Sequence, residues 1–215
     1  MIEPDVVVVA AGPGPSLALP AGATVIAADG GLDRALVLGL QVDVVVGDLD
    51  SVSPVAFAAA AEGGSRVSRH PAAKDATDLE LALDEALALG ARRVLVVASA
   101  EGRLDHLLAS LLLLGSERYA TLEPDALVGS ALTHVVRGSR TLTGTVGELV
   151  SLLAVGGRAT GIVTVGLEYP LAGETLEVGS SRGVSNVFAS AEPRITVEDG
   201  VVLAVRPSPA RQRLC

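Results

Sequence analysis

Four short acidic stretches punctuate the first half of the sequence: Asp29-Gly30-Gly31, Gly47-Asp48-Leu49-Asp50-Ser51, Lys74-Asp75-Ala76-Thr77-Asp78 and Gly102-Arg103-Leu104-Asp105-His106. Asp48 and Asp50 are two residues apart, so in an extended loop both carboxylates point the same way, as a hard cation with oxygen ligands requires. A lone Asp-x-Asp is common in solvated turns; four acidic stretches that could share one rim make a stronger signal. Carboxylates gathered in that way repel one another at neutral pH, and a Mg²⁺ ion whose shell is completed by substrate phosphates removes the repulsion. Lys74 and Arg103 lie inside these stretches and could neutralise charge on phosphate oxygens, which is most of what phosphoryl-transfer catalysis demands. For Arg103 a surface ion pair with a neighbouring acid is an equally good reading. Gly30, Gly31 and Gly47 would let backbone approach a nucleotide closely, or serve turn geometry alone.

Other chemistries lack their residues. The sequence has no Gly-x-x-x-x-Gly-Lys-Ser/Thr loop, and Gly12-Pro13-Gly14-Pro15 lacks the third glycine of a dinucleotide fingerprint, so it is read as a proline-rich turn. His70 precedes Pro71, His134 sits in an apolar stretch, and His106 follows Asp105 where it could orient that carboxylate or be exposed. They suggest neither a metal centre nor a nucleophile triad. The single cysteine, Cys215, excludes an internal disulfide and a Cys/His zinc cluster.

The elements that must position the acids follow from the hydrophobic pattern. Short β-branched runs at residues 5–9, 24–28, 42–46 and 93–98 alternate with Ala/Leu-rich helical segments at 31–38, 54–62, 77–89 and 105–114, the pattern of βα units on a parallel sheet. Three of those strands run into acidic stretches, and in an open α/β sheet ligands bind beyond the carboxyl ends of the strands. Thr77 and Glu80 form a Thr-x-x-Glu capping pattern that fixes the start of the third helix. After about residue 135 the texture changes to glycine-punctuated strands at 149–155, 160–165, 194–197 and 201–205, with Glu198-Asp199-Gly200 as a hairpin signal between the last two. The expected architecture is an α/β domain with a mostly parallel sheet over residues 1–134, then an all-β, sandwich-like domain over 135–215 with an unpatterned tail from 207.

Composition narrows the partners. A net charge of −9 disfavours a nucleic-acid backbone, and 2% aromatic residues leave little for base stacking. No apolar run approaches the roughly 18 residues that read as a membrane span, and residues 1–5 lack the basic start of a secretory signal, so a cytoplasmic protein is expected.

Taken in order, Ala28-Asp29-Gly30-Gly31, Gly47-Asp48-Leu49-Asp50-Ser51, Lys74-Asp75-Ala76-Thr77-Asp78-Leu79-Glu80 and Gly102-Arg103-Leu104-Asp105-His106 resemble the thiamine pyrophosphokinase family. The resemblance continues through Gly166-Leu167-Glu168-Tyr169-Pro170-Leu171, Ser181-Arg182-Gly183-Val184-Ser185-Asn186 and Val197-Glu198-Asp199-Gly200, which look like the β-domain of bacterial members. It implies an ATP-binding α/β domain, a β-sandwich, and a homodimer with active sites between subunits. On this sequence Asp48, Asp50 and Asp78 would hold Mg²⁺, with Asp75 close by. Lys74, Asp75, Arg103 and Asp105, with His106, would contact ATP, Asp29 and Gly30 would line its pocket, and Ser185 and Asn186 would reach thiamine. The implied reaction is an in-line attack of the thiamine hydroxyl on the β-phosphorus of ATP, with AMP leaving, Arg103 neutralising charge, and Asp50 or Asp78 accepting the proton. Two features depart from the family: Glu101 stands where a glycine is usual, and the sequence has no tryptophan, which leaves Phe188 as the ring nearest Asn186 in sequence. Rival readings keep the fold and change the acceptor to a hydroxymethyl pterin, abolish turnover in a silent nucleotide- or thiamine-binding protein, or replace transfer by nucleotide hydrolysis.

Overall fold

A computed structural model describes residues 3–13 and 22–207, so the cysteine, residues 14–15 of the proline-rich turn and the tail beyond 207 lie outside the described residues. The described residues divide into two compact units. One runs to Ser110 and takes in Ala126–Gly129; the other comprises Leu111–Asp125 and the described chain from Ser130 onward.

The first unit is built on five parallel strands: β1 (Val6–Val9), β2 (Thr24–Ala28), β3 (Val44–Gly47), β4 (Arg66–Arg69) and β5 (Arg93–Ala98), in the order β4-β3-β2-β1-β5. Every side chain of β1 is buried, as expected for a central strand covered on both faces. On one face α1 (Gly31–Val37) and α2 (Pro54–Glu62) bring Leu32, Ala35, Ala56 and Ala60 against Val7, Val9, Ala27, Val45 and Val97. The helix α3 (Asp78–Ala88) packs on β1, β2 and β3 and buries Leu79, Ala82, Leu83 and Ala86. It starts where the capping pattern places it, with the Thr77 hydroxyl accepting from Glu80 N at 3.2 Å. A fourth helix, α4 (Leu104–Leu114), follows β5.

The strand β4 is missing from the sequence reading because Arg-Val-Ser-Arg lacks alternating burial: three of its four residues are exposed, as an edge strand permits. From β1 the chain builds outward through β2, β3 and β4, then returns to place β5 on the other side of β1. A doubly wound sheet opens its ligand crevice at such a switch, beyond the strands' carboxyl ends.

The second unit is antiparallel. Its strands are β7 (Ala131–Val136), β8 (Ser139–Thr141), β9 (Leu149–Val165), β10 (Ala172–Leu176), β11 (Asn186–Val187), β12 (Arg194–Thr196) and β13 (Asp199–Arg206); β6 (Glu123–Val128) contributes residues to both units. The two runs expected at 149–155 and 160–165 are one strand, β9. Gly156 and Gly161, with φ of 73° and 60°, let it bend instead of ending. Beyond the bend it changes partners, from β13 along 151–160 to β12 at 163–165. Glu198-Asp199-Gly200 is therefore not a hairpin turn: β12 and β13 both pair with β9, and Glu198 N donates to Thr160 O at 3.1 Å as the link crosses the bend. The core of this unit gathers Val150, Leu152, Ile162, Leu171, Leu176, Phe188, Ile195 and Val202. Among the described residues no helix is long and apolar enough to cross a membrane.

One contact fixes where the acids emerge. A Cβ on Gly31 would lie 2.0 Å from the Val9 carbonyl oxygen, so α1 can start directly against β1 only because this residue is glycine. Gly31→Ala is expected to destabilise the protein at the upper end of the roughly 1–3 kcal/mol that overpacking costs, read as a lower urea midpoint at unchanged slope.

Candidate active site

The carboxylates converge around Gly47, the last residue of β3. A Cβ there would come within 2.9 Å of Asp78 Oδ1 and 3.1 Å of Asp29 Cβ, and its φ of 144° is another reason for glycine. Asp29 follows β2 in a left-handed conformation (φ 45°), with its N–H donated to Val46 O at 2.8 Å and its carbonyl accepting from Leu32 N at 2.9 Å as α1 begins. Leu49 is also left-handed (φ 68°) and separates Asp48 from Asp50, whose N–H donates to Asp48 Oδ1 at 3.1 Å. The two ligand candidates of this loop are thus set by a turn, where the sequence suggested an extended segment.

Asp29, Asp48 and Asp50 can each offer an oxygen within 4.8 Å of the others'. Asp29 Oδ1 is buried with no hydrogen-bond partner, and no described cationic side chain pairs with Asp29 or Asp50. An all-oxygen set with one unsatisfied buried oxygen fits a hard divalent cation. The set differs from the expected Asp48, Asp50 and Asp78 in one member. Asp78 sits beside it, with Oδ1 2.8 Å from Lys74 Nζ in an ion pair that lacks a hydrogen bond's alignment. Lys74 also donates to Asp48 Oδ2 at 3.3 Å. Burial lowers the Lys74 pKa, but the Asp78 and Asp48 carboxylates outweigh it and hold the ammonium above its ordinary value. Asp48 is held below its ordinary value, first by the Asp50 N–H and then by Lys74.

The remaining predicted residues lie around this cluster or apart from it. Asp75 is exposed beside Lys74. Gly30 would place a Cβ 3.3 Å from Ala11 Cβ, so it lines the segment that follows β1. That segment meets the loop after β5, since a Cβ on Gly12 would lie 2.8 Å from Ser99 Cβ, and the buried Arg34 donates to Gly12 O at 2.6 Å. Arg103 and Asp105 are exposed and pair with each other, Nε to Oδ1 at 3.1 Å and Nη2 to Oδ2 at 2.5 Å. That bidentate pairing holds the Asp105 carboxyl at about 2. His106 and Glu101 are exposed, and Glu101 N donates to Ser99 Oγ at 2.9 Å.

In the second unit Ser185 is left-handed (φ 59°) and exposed, its N–H donated to Ser151 Oγ at 3.1 Å. Asn186 is buried, and its carboxamide holds the Tyr169 backbone: Oδ1 accepts from Tyr169 N at 3.0 Å and Nδ2 donates to Tyr169 O at 2.6 Å. Phe188 is fully buried, stacked under the Arg206 guanidinium 5.2 Å from the ring centre, and cannot form a wall against a ligand. The aromatic residue that Asn186 fixes is Tyr169, which is 54% exposed. Sequence reasoning missed it, although it lies within Gly166-Leu167-Glu168-Tyr169-Pro170-Leu171, because proximity to Asn186 along the chain favoured Phe188.

Lys74→Met removes the lysine's share of what holds Asp48 down, so its carboxyl is expected to move up; a carboxyl-carbon NMR titration measures this. Asp5, Asp33, Asp48 and Asp105 are all lowered in the fold, so the stability they contribute is complete above their ordinary value of 3.8 and lost as pH falls through the folded values, about 2 for Asp105. Acid titration of the circular dichroism signal is expected to show loss of structure in that window.

Known proteins match this architecture along both units. Residues 18–123 match the thiamin pyrophosphokinase catalytic domain and residues 133–202 the thiamin pyrophosphokinase vitamin B1 binding domain. No curated protein sequence matches the chain. Among solved structures, thiamine pyrophosphokinase from Bacillus subtilis superposes with a TM-score of 0.80 at 21% identity, covering 94% of this chain and 99% of its own. The Geobacillus thermodenitrificans thiamin pyrophosphokinase gives 0.77 at 24% identity over 98% and 99%. That from Candida albicans gives 0.76 at 14% identity over 94% and 88%. At these identities the superpositions establish the fold, and the two domain matches establish the lineage. The chain belongs to the thiamin pyrophosphokinase family and is an enzyme of that kind, with its catalytic domain ahead of its vitamin B1 binding domain.

Proposed function

We propose that the chain transfers the pyrophosphoryl group of ATP to the hydroxyl of thiamine, giving thiamine diphosphate and AMP, in a Mg²⁺-dependent reaction. The observation that carries the reading is the convergence of Asp29, Asp48 and Asp50 with one unsatisfied buried oxygen, next to a lysine held protonated. Family membership supplies the two substrates. Asp29, Asp48 and Asp50 would hold Mg²⁺, which when bound supplies neutralising charge for phosphate oxygens. Lys74 pairs with both Asp48 and Asp78 beside that position. Arg103, on the loop after β5, and Asp105, in the first turn of α4, are exposed, so an incoming polyphosphate can exchange one anionic partner of the guanidinium for another. Gly30, Asp75 and His106 complete the proposed ATP surroundings.

Ser185 is assigned to thiamine, and Asn186 acts on the acceptor side through Tyr169, whose backbone it clamps. The division of labour is a nucleotide- and metal-binding domain over residues 1–134 and a thiamine-binding, dimer-forming domain over 135–215. The enzyme is proposed to be cytoplasmic and homodimeric, with active sites shared between subunits. Nothing in the two domain matches favours a pterin acceptor or a silent binding protein.

Incubation with ATP, Mg²⁺ and thiamine is expected to yield AMP and thiamine diphosphate in equal amounts, resolved by chromatography. AMP formed equally without thiamine would make the protein a hydrolase, and no product from folded protein would overturn the acceptor assignment. Asp50→Asn is expected to lower kcat on the order of a hundredfold or more without unfolding the protein. Ser185→Ala is expected to raise KM for thiamine while leaving KM for ATP unchanged; equal effects on both would remove Ser185 from the acceptor site.

A further inference from the structure

We infer that Asp33 is a positioning residue for the metal-binding loop, acting through Ser53; this rests on the metal reading above. The loop from Asp48 to Ser53 joins β3 to α2 and carries two of the three converging carboxylates. Its conformation is held against a local cost, since Leu49 is left-handed, a conformation strained for any residue but glycine. Such a turn persists only where its surroundings enforce it. At one end the loop is continuous with β3. At the other, Ser53 is fixed by Asp33, whose Oδ2 accepts from Ser53 N at 2.9 Å. The Ser53 hydroxyl, and after it the Ser53 N–H, hold the Asp33 carboxyl below its ordinary value. The Ser53 hydroxyl accepts from Ala56 N at 3.2 Å as the cap of α2, so the residue whose backbone Asp33 holds is also the one that starts the helix. Between the two ends, Leu49 and Val52 pack against the core that α1 and α2 share.

Asp33 stands one helical turn after Asp29, on α1, whose N-cap is Gly30 and whose Leu32 N–H donates to Asp29 O. One rigid element therefore presents the first carboxylate of the set from its start and ties down the loop that presents the other two. Loss of the bond from Ser53 N to Asp33 frees the loop's exit, Leu49 relaxes, and Asp48 and Asp50 no longer face Asp29 without a cost met by the cation. The effect falls on metal binding and on the metal-bound nucleotide, and leaves the acceptor untouched.

The test uses the full chain and Mn²⁺ alone, titrated by electron paramagnetic resonance without ATP or thiamine. Asp33→Ala is expected to weaken Mn²⁺ binding about tenfold, and Asp33→Asn, which keeps one acceptor oxygen for Ser53, about threefold. In turnover, KM for Mg-ATP is expected to rise with KM for thiamine unchanged. Wild-type Mn²⁺ affinity in folded Asp33→Ala would overturn the inference, whatever the change in melting temperature. If the alanine variant does not fold, Asp33→Asn decides by the same criterion. A wild-type protein that binds no Mn²⁺ would instead overturn the metal reading, and the inference with it.

Discussion

The crowding of like charge around one glycine is the constraint on which the site depends. Asp29, Asp48 and Asp50 bring oxygens within 4.8 Å of one another, and Asp78 reaches the same glycine. Each such pair repels, less where solvent reaches it. Lys74 offsets this for Asp48 and Asp78, which leaves Asp29 and Asp50 without an internal counter-charge among the described residues. The site is therefore an anionic receptacle built to be completed from outside, and the chain's net charge of −9 makes a bare polyphosphate a poor visitor unless a cation accompanies it.

Holding repelling groups in place requires support that does not yield. The sheet provides it through β1, whose four valines are buried on both faces, and through the backbone contact between Gly31 and Val9. With no room for a Cβ at Gly31, α1 cannot slide along β1, so Asp29 is fixed by packing more than by its own hydrogen bonds. Arg34, one turn into α1, extends the same restraint to the segment after β1 through Gly12 O. The residues that face the ligand are thus few, and the residues that hold them still are mostly apolar or glycine.

This division explains what was legible in the sequence. The alternation of β-branched runs with Ala/Leu-rich segments revealed the α/β unit and where its acids emerge, because burial on both faces leaves a strong compositional trace. Arg66–Arg69 left none, since an edge strand needs neither alternation nor burial. The continuity of Leu149–Val165 was hidden because Gly156 and Gly161 read as strand ends, whereas in the fold they are bends. At the site, residue types announced the carboxylates, but which three share one position depends on distances set by the β2-β3 register, where Ala28 lies beside Val46. Likewise Phe188 and Tyr169 are both aromatic residues near Asn186 in the sequence or in space, and only packing decides that the first is core and the second exposed.

Backbone strain gives an independent marker of the same places. Among the described residues three non-glycines have clearly positive φ: Asp29 at 45°, Leu49 at 68° and Ser185 at 59°. Each costs on the order of 1–3 kcal/mol in a chain whose whole stability is about 5–15 kcal/mol. Glycine would relieve all three, and the chain uses glycine at sixteen other described positive-φ positions. At Asp29 the side chain supplies one of the three converging oxygens, which glycine could not. At Leu49 the side chain packs against the core, which anchors the turn that turns Asp48 and Asp50 together. At Ser185 no core contact explains the choice: the side chain is exposed and its backbone N–H is already satisfied by Ser151. A hydroxyl kept in a strained, exposed position next to a buried asparagine makes physical sense if something outside the chain accepts or donates a hydrogen bond there, which is the role the acceptor substrate would fill.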